Sequence, residues 1–385
     1  MRGQADEQPP LFHSFHIEDR IRKDHPLRDI KRQVDRILTS MRSQFAMAYS
    51  HTGRPSVPPE RLLKALLLMA LYSIRSERQL CEQIDVNLLY RWFLGMQPSE
   101  DAFDATTFTK NRLRLEEHGF AKAFFDAVVA EAMTRYLCSE HFSVDGTLIE
   151  SYASTKSFQP KSTQDDDNND KNDDGNRFKP RNVEVDFHGQ KRTNETHQST
   201  TDPDAILYRK SKGQEAKLSH MGHVVSENRH GLIIAVTATE ASGKAERDAV
   251  IDMLVDMHRT HETMPETLGA DKGYDDGKFL QILEMVGIEP HIPLKGQPPA
   301  DPKTVTDRTR LPGIKARRRM QRRMKTAAYK LSQKCRKKVE EAFGWLKTVA
   351  GLDRCRTVGR WKLMQALQIG AAAFNLVRMR NLAKA

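Results

Sequence analysis

The 385-residue chain carries 62 Lys and Arg against 51 Asp and Glu, a formal net charge of +11, with 38% hydrophobic and 29% charged residues. That size accommodates a sizeable core and one or two accessory units, and the apolar share excludes a wholly disordered chain. The longest apolar run, Leu62 to Ile74, is interrupted by Lys64 and falls short of the roughly 20 residues that cross a bilayer, so it reads as a buried helix and no membrane partner is expected.

In chain order, Met1 to Pro10 lacks the basic-then-apolar pattern of a secretory leader, and a cytoplasmic location is expected. Leu27, Ile30, Val34, Ile37, Leu38 and Met41 recur at helical spacing behind Pro26, a good first-turn residue. A second helix starts near Pro58 and Pro59 and takes in the leucine-rich stretch to about Ile74. A third begins at Ser76, with Gln79 placed as in a capping box, and ends near Ile84; Asp85 to Asn87 then turn the chain into Leu88 to Leu94. Two short helices about a tight turn match a helix-turn-helix and equally a plain helical bundle, because the spacing alone carries no information about DNA. Thr106 to Leu115 and Phe120 to Leu137 extend the helical region.

The periodicity changes at His141. In His141 to Ile149 short apolar and β-branched residues flank the single acid Asp145, as in a strand. Lys217 to Glu227 and Gly231 to Thr239 read as a hairpin joined through Asn228 to Gly231. Glu246 to His258 is helical, Glu266 to Ala270 a short strand ending at Asp271, Lys278 to Val286 a helix and Ile288 to Leu294 a strand. The order predicts an α+β fold with a mixed sheet. The acid-rich, low-complexity run from Ser157, part of an insertion over about 157–200, is expected to be disordered. A helix over Lys334 to Val349 and a last one through Met364, Leu367, Ile369, Phe374, Leu376 and Val377 close the chain. Cys81, Cys138, Cys335 and Cys355 have no paired C-x-x-C spacing, which points to reduced thiols rather than a zinc site. Three units follow: helical 1–138, α+β 139–350 and helical 351–385.

From Arg308 to Lys347 there are fifteen Lys and Arg against Glu340 and Glu341, so this segment holds the entire positive excess. Its basic part, 308–338, with Arg317, Arg318, Arg319, Arg322 and Arg323 at its densest, points to a polyanion-binding surface; a solvated basic helix is the bland alternative.

Cutting a polynucleotide needs an activated water or 3′-hydroxyl and a stabilised leaving oxygen, which two carboxylate-held divalent ions supply. Asp145 in the first strand and Asp271 at the end of a later one can converge at one sheet edge, with Glu340 on a helix over it. Spacing alone does not select these three from ordinary strand-end acids. On that helix Val339, Ala342, Phe343, Leu346 and Ala350 form one apolar stripe. Measured from Val339, Glu340 lies about 100° round and Glu341 about 200°, so Glu340 borders the buried face and Glu341 points to solvent. His220 and His223 fall on opposite faces of a strand, which favours structural roles over a metal pair. Trp345 reads as an aromatic covering the core. Lys272 and Tyr274, beside Asp271, are candidate phosphate contacts.

Val144-Asp-Gly-Thr147, Gly269-Ala-Asp-Lys-Gly-Tyr-Asp275 and Arg336-Lys-Lys-Val-Glu-Glu-Ala-Phe-Gly-Trp-Leu-Lys347 resemble the three signature blocks of DDE transposases, and more narrowly those of the bacterial insertion sequence five family. Thr201-Asp-Pro-Asp-Ala205, Leu207-Tyr-Arg-Lys210, Lys217-Leu-Ser-His-Met-Gly-His223 and Asp104-Ala-Thr-Thr-Phe108 add to the resemblance, which covers about Phe12 to Asn381. It implies an RNase H-like catalytic domain at 139–350 behind a DNA-binding N-terminal domain. It also implies catalytic and metal-binding roles for Asp145, Asp271 and Glu340, with Mg²⁺ or Mn²⁺ as cofactor. Double-stranded DNA is the implied partner, as terminal inverted repeats and as target, together with a homo-oligomer formed on it; the protein would associate with the nucleoid. Arg336 and Lys347 match the DNA-touching Arg and Lys of the related Tyr-Arg-Glu-Lys signature, whereas Gln333 stands where that signature has Tyr; nearby Tyr329 is no more than a candidate substitute for it. A catalytically silent DNA-binding regulator and an RNase H-like nuclease that never joins DNA are the competing readings.

Overall fold

The computed structural model describes residues 16–384 apart from 51, 53–55, 137–139, 162–192, 210–214, 243–244, 297–300, 302 and 304–305. The expectations placed on residues 1–15, Leu137, Cys138, Lys210 and the acid run at 165–170 lie outside the described residues. No helix among the described residues is long and apolar enough to cross a membrane.

The N-terminal region is helical: α1 (Ile17–Arg20), α2 (Leu27–Ser40), α3 (Arg42–Ala48), α4 (Pro59–Leu71), α5 (Glu77–Val86), α6 (Leu88–Leu94), α7 (Ala105–Glu117) and α8 (Phe120–Met133). Its boundaries follow local chemistry. Ser76 accepts from the Gln79 amide to start α5, Asn87 accepts from the Leu89 amide to start α6, and Asp104 accepts from the Thr106 amide to start α7. The α5–α6 pair is not a groove-reading helix-turn-helix. Tyr90, Arg91, Trp92, Phe93 and Leu94 are all buried, and the Arg91 guanidinium is tied to the carbonyls of Asp85, Gln97 and Glu100. A helix buried on every side has no face to offer a duplex.

The second region contains β1 (His141–Glu150), β2 (Phe158–Pro160), β3 (His197–Ser199), β4 (Ile206–Tyr208), β5 (Lys217–Glu227), β6 (Ile233–Glu240), α9 (Ala245–His261), β7 (Thr267–Gly269), α10 (Gly277–Met285), β8 (Glu289–His291), α11 (Leu311–Arg323), α12 (Ala327–Cys335), α13 (Lys337–Thr348) and α14 (Arg360–Leu382). The main sheet runs β6-β5-β1-β7-β8, with β4 extending the β6 edge. β1, β5 and β6 are antiparallel neighbours, and β7 and β8 are parallel to β1. The two ends of the 157–200 insertion are ordered, contrary to expectation, because β2 pairs with β3 and the Ser157 and Ser199 hydroxyls lie 2.8 Å apart. Its remainder at 162–192 lies outside the described residues. The strand expected over Ile288 to Leu294 shortens to β8, and the helix expected from Lys334 divides at Arg336 into α12 and α13.

One apolar core runs through both regions, and α14 joins them. Buried on nearly every side, α14 lies against α8, β6 and α4. Asn375 lends its amide to the outer edge of the sheet, accepting from the Ile233 N–H at 2.9 Å and donating to its carbonyl at 2.7 Å. The Thr201–Ala205 motif anchors the start of the same helix: Asp202 accepts from Ser151 at 2.6 Å and lies 3.0 Å from His220 Nε2, while Asp204 accepts from the Arg360 amide at 3.0 Å. His220 is thus a buried structural histidine.

Candidate active site

Strand register brings the two aspartates together. β1 and β7 are parallel with Ser143 opposite Gly269, so two residues further on Asp145 and Asp271 stand at the same carboxyl end of the pair. That end is where open α/β sheets leave a crevice for ligands. Asp145 is a quarter exposed and accepts from the Gly146 amide. Asp271 turns back on its own loop, its Oδ1 accepting from the Gly273 amide at 2.6 Å. A Cβ on residue 273 would stand 2.7 Å from that oxygen, so a larger residue there would displace the Asp271 carboxylate from this position.

The helices above this end are held close. A Cβ at Gly269 would stand 3.1 Å from Ser332 Oγ, and the Gln333 amide donates to the His291 carbonyl at 2.5 Å. Gln333, in the place of the signature's Tyr, therefore ties α12 to the strand ends. Tyr329, considered as that Tyr's substitute, is buried edge-on against His291. This seats Arg336 at the α12–α13 junction, with Nη1 3.8 Å from Asp145 Oδ2 and Nη2 3.5 Å from Glu340 Oε1.

On α13, Val339, Ala342, Phe343 and Leu346 are buried as the apolar stripe predicts, with Ala350 half-buried beyond the helix end. Glu340 is 58% exposed and faces Arg336; Glu341, 64% exposed, faces solvent as its helix position predicts, with Arg378 of α14 3.9 Å away. Lys347 donates to the Leu148 carbonyl at 3.0 Å. Trp345 packs edge-on against Phe374, covering the core. Lys272 is exposed beside Asp271, but Tyr274 is 1% exposed, which removes it as a phosphate contact.

Two further groups stand near the aspartates: Glu246, which carries no sequence signal that singles it out, and Tyr274, which is buried beside them. Glu246, in the first turn of α9, is half-buried. Burial pushes its carboxyl above the usual range, Asp271 and Asp145 add to the push, and Lys295 and Arg247 oppose it. An acid in a first helical turn ordinarily reads as a partner for the helix dipole, so sequence alone gave it no prominence. The Tyr274 hydroxyl is buried and has no hydrogen-bond partner among the described residues; burial, then Glu246, Asp145 and Asp271, raise it well above its ordinary range.

The basic segment departs from expectation. Arg317 clasps Asp275 through two hydrogen bonds of 2.8–2.9 Å, Arg319 and Arg323 both bind Glu284, and Arg318 lies 3.7 Å from Asp301. Arg317, Arg319 and Arg323 therefore hold α11 onto α10 and its flanking loop; Arg317 and Arg323 are largely covered, whereas Arg319 remains 47% exposed. Lys315, Arg318 and Arg322 form the outward stripe of α11, with Lys315 and Arg322 exposed. A separate cleft of about 630 Å³ between the N-terminal helices and the 347–369 segment is lined by Arg75, Lys347, Arg354, Arg356 and Lys362.

Among the described residues, no three acids, histidines or cysteines stand close enough to hold a metal ion as the side chains are placed. The donors nevertheless suit one: Asp145, Asp271 and Glu340 offer hard oxygen, and the Arg336 guanidinium, set between Asp145 and Glu340, stands in for a cation.

The strand order is that of an RNase H-like core, with two aspartates at one strand end, under a helical N-terminal region. The chain belongs to the DDE transposase family: the family model described as Transposase DDE domain matches residues 138–376, and one described as Transposase domain (DUF772) matches residues 15–114. No curated protein matches it. Among solved structures, the piggyBac transposase synaptic complex with hairpin DNA is 10% identical, covering 93% of this chain and 76% of that one at a TM-score of 0.37. The Mos1 transposase paired-end complex with left transposon end is 12% identical, covering 79% of this chain and 81% of that one at 0.21.

Proposed function

We propose that this transposase cleaves DNA at the terminal inverted repeats of a bacterial insertion sequence and joins the freed 3′-hydroxyl to target DNA, with Asp145, Asp271 and Glu340 as ligands of Mg²⁺ or Mn²⁺. The observation that carries this reading is the β1–β7 register, which sets Asp145 and Asp271 at one strand end beneath Arg336 and Glu340. A bound divalent ion would supply an activated oxygen nucleophile and neutralise the leaving oxygen. The chain's own part is positional. Asp271 is fixed by the Gly273 amide, Glu340 would be the third acid to hold the ion, and Arg336, 3.5 Å from Glu340, would meet the scissile phosphate. Lys272, exposed beside Asp271, is placed to contact the same phosphate. Lys347 holds α13 to β1 and reaches DNA only by leaving the Leu148 carbonyl.

The division into helical 1–138, catalytic 139–350 and C-terminal 351–385 units is part of this proposal, with the N-terminal helices reading the repeat. Joining two element ends calls for more than one copy on DNA, in the nucleoid.

Purified protein incubated with pre-cleaved element ends, plasmid and Mg²⁺ tests the reading. Strand-transfer products are expected, and hydrolysis alone would convert it to a nuclease. Asp145→Asn, Asp271→Asn and Glu340→Gln are expected to keep end binding and lose both reactions, whereas Glu341→Gln loses little. Binding without cutting by the wild type in Mg²⁺ and Mn²⁺ would leave a silent regulator. Ca²⁺ is expected to support binding but little chemistry, because its larger, looser shell positions the reacting oxygens poorly.

A further inference from the structure

The Glu246 carboxylate makes no ion pair or hydrogen bond with the described residues, although it is half-buried next to two other carboxylates. Lys295 and Arg247 act on it only from beyond ion-pair distance, and a half-buried charge without a close counter-charge is costly to keep ionised. Two buried polar atoms point to what is missing. His223, fully buried, has Nε2 2.7 Å from Thr239 Oγ1 and leaves Nδ1 without a partner among the described residues. The Tyr274 hydroxyl, equally buried and unpartnered, lies in the field of Glu246, Asp145 and Asp271 together.

Gly146 connects these groups. A Cβ there would stand 3.2 Å from His223 Nδ1 and 3.5 Å from Glu246 Oε1, so the glycine leaves a cradle beside Asp145 walled by a nitrogen lone pair and a carboxylate oxygen. Burial pushes His223 down to about 4, which keeps the imidazole neutral at physiological pH and prevents it from acting as the missing cation. Gly146 pairs with His223 across β1 and β5, while Asp145 pairs with Val224 on the other side of the pleat. Glu246 therefore approaches the strand end from the α9 face and Glu340 from the α13 face.

We propose that Glu246 is a fourth carboxylate of the metal centre, ligating a divalent cation with Asp145 and Asp271 from the sheet face opposite Glu340. This rests on the metal-dependent reading above. The rival is an ordinary first-turn acid on α9, which leaves metal affinity unchanged.

The test is Mn²⁺ titration of the full chain by calorimetry, without DNA, for wild type, Glu246→Gln, Glu246→Asp and Asp145→Asn. Losing a ligand is expected to weaken Mn²⁺ binding roughly tenfold or more, since even outer-shell losses reach that size. Glu246→Gln is expected to fall with Asp145→Asn, and Glu246→Asp to recover part of the loss. A Glu246→Gln protein that binds Mn²⁺ like wild type while Asp145→Asn does not overturns this inference and leaves the proposed function standing. Wild type that binds no Mn²⁺ overturns both. Wild-type protein loaded with Fe²⁺ and treated with ascorbate and peroxide guards against a variant that does not fold. Backbone scission is expected near 145, 246 and 271, and its absence near 246 alone counts against Glu246.

Discussion

Helices α11 and α13 both lie in the densely basic stretch, yet their arginines are used differently. On α11, Arg317 meets Asp275, whose side chain is 2% exposed, and Arg319 and Arg323 share Glu284, 13% exposed. These pairs close α11 over α10, where Gly277 and Gly313 let the two backbones touch. At the head of α13, Arg336 sits between two carboxylates of the strand-end cluster. A basic run first satisfies the acids that its own fold presents, and only the remainder is available to a polyanion. Net charge counts both kinds alike.

The comparison breaks most sharply at Arg336. Arg336→Ala is expected to lower DNA cleavage by about a hundredfold or more, the scale of a lost charge-stabilising donor, while the unfolding midpoint moves little. Equal loss of stability would make Arg336 another clamp. Arg317→Ala is expected to show the opposite profile. It leaves Asp275 buried beside only the Lys295 amide and costs about 2–4 kcal/mol in urea unfolding, towards the lower end for an unpaired buried charge because Arg317 is itself partly exposed. An unchanged midpoint would remove the clamp. The smallest effect belongs to the outer stripe: replacing Lys315, Arg318 and Arg322 with Ala is expected to leave folding intact and flatten the log–log salt dependence of DNA binding by about 0.9 per lost phosphate contact. An unaltered slope would put that face outside the DNA path.

Periodicity in the sequence reveals the elements well where apolar spacing is strong, as in α2, α4, the β5–β6 hairpin and the buried stripe of α13. It also placed Asp145 and Asp271 on strands whose ends can meet. It did not reveal the fate of α6, because a short run rich in aromatics looks the same whether it is buried or presented to a groove. Nor did it separate Arg317 from Arg318, which differ only in which acid the fold brings within reach. What Asp202 and Gln333 bind was not legible for the same reason: the partners are 18 to 157 residues away. Glu246 was hidden by its helix position, where an acid needs no special explanation.

The placement of α14 bears on how the protein is made. Its side chains Leu363, Leu367, Ala371, Phe374 and Met379 fill the seam between the N-terminal helices and the sheet, and Asn375 closes the β6 edge. During synthesis neither layer can bury its facing surface until residues 360–382 leave the ribosome. A product stopped short of them would carry Asp145, Asp271 and Glu340 yet expose an open strand edge and two bare apolar faces. The shared core is therefore complete only when residues 360–382 are in place.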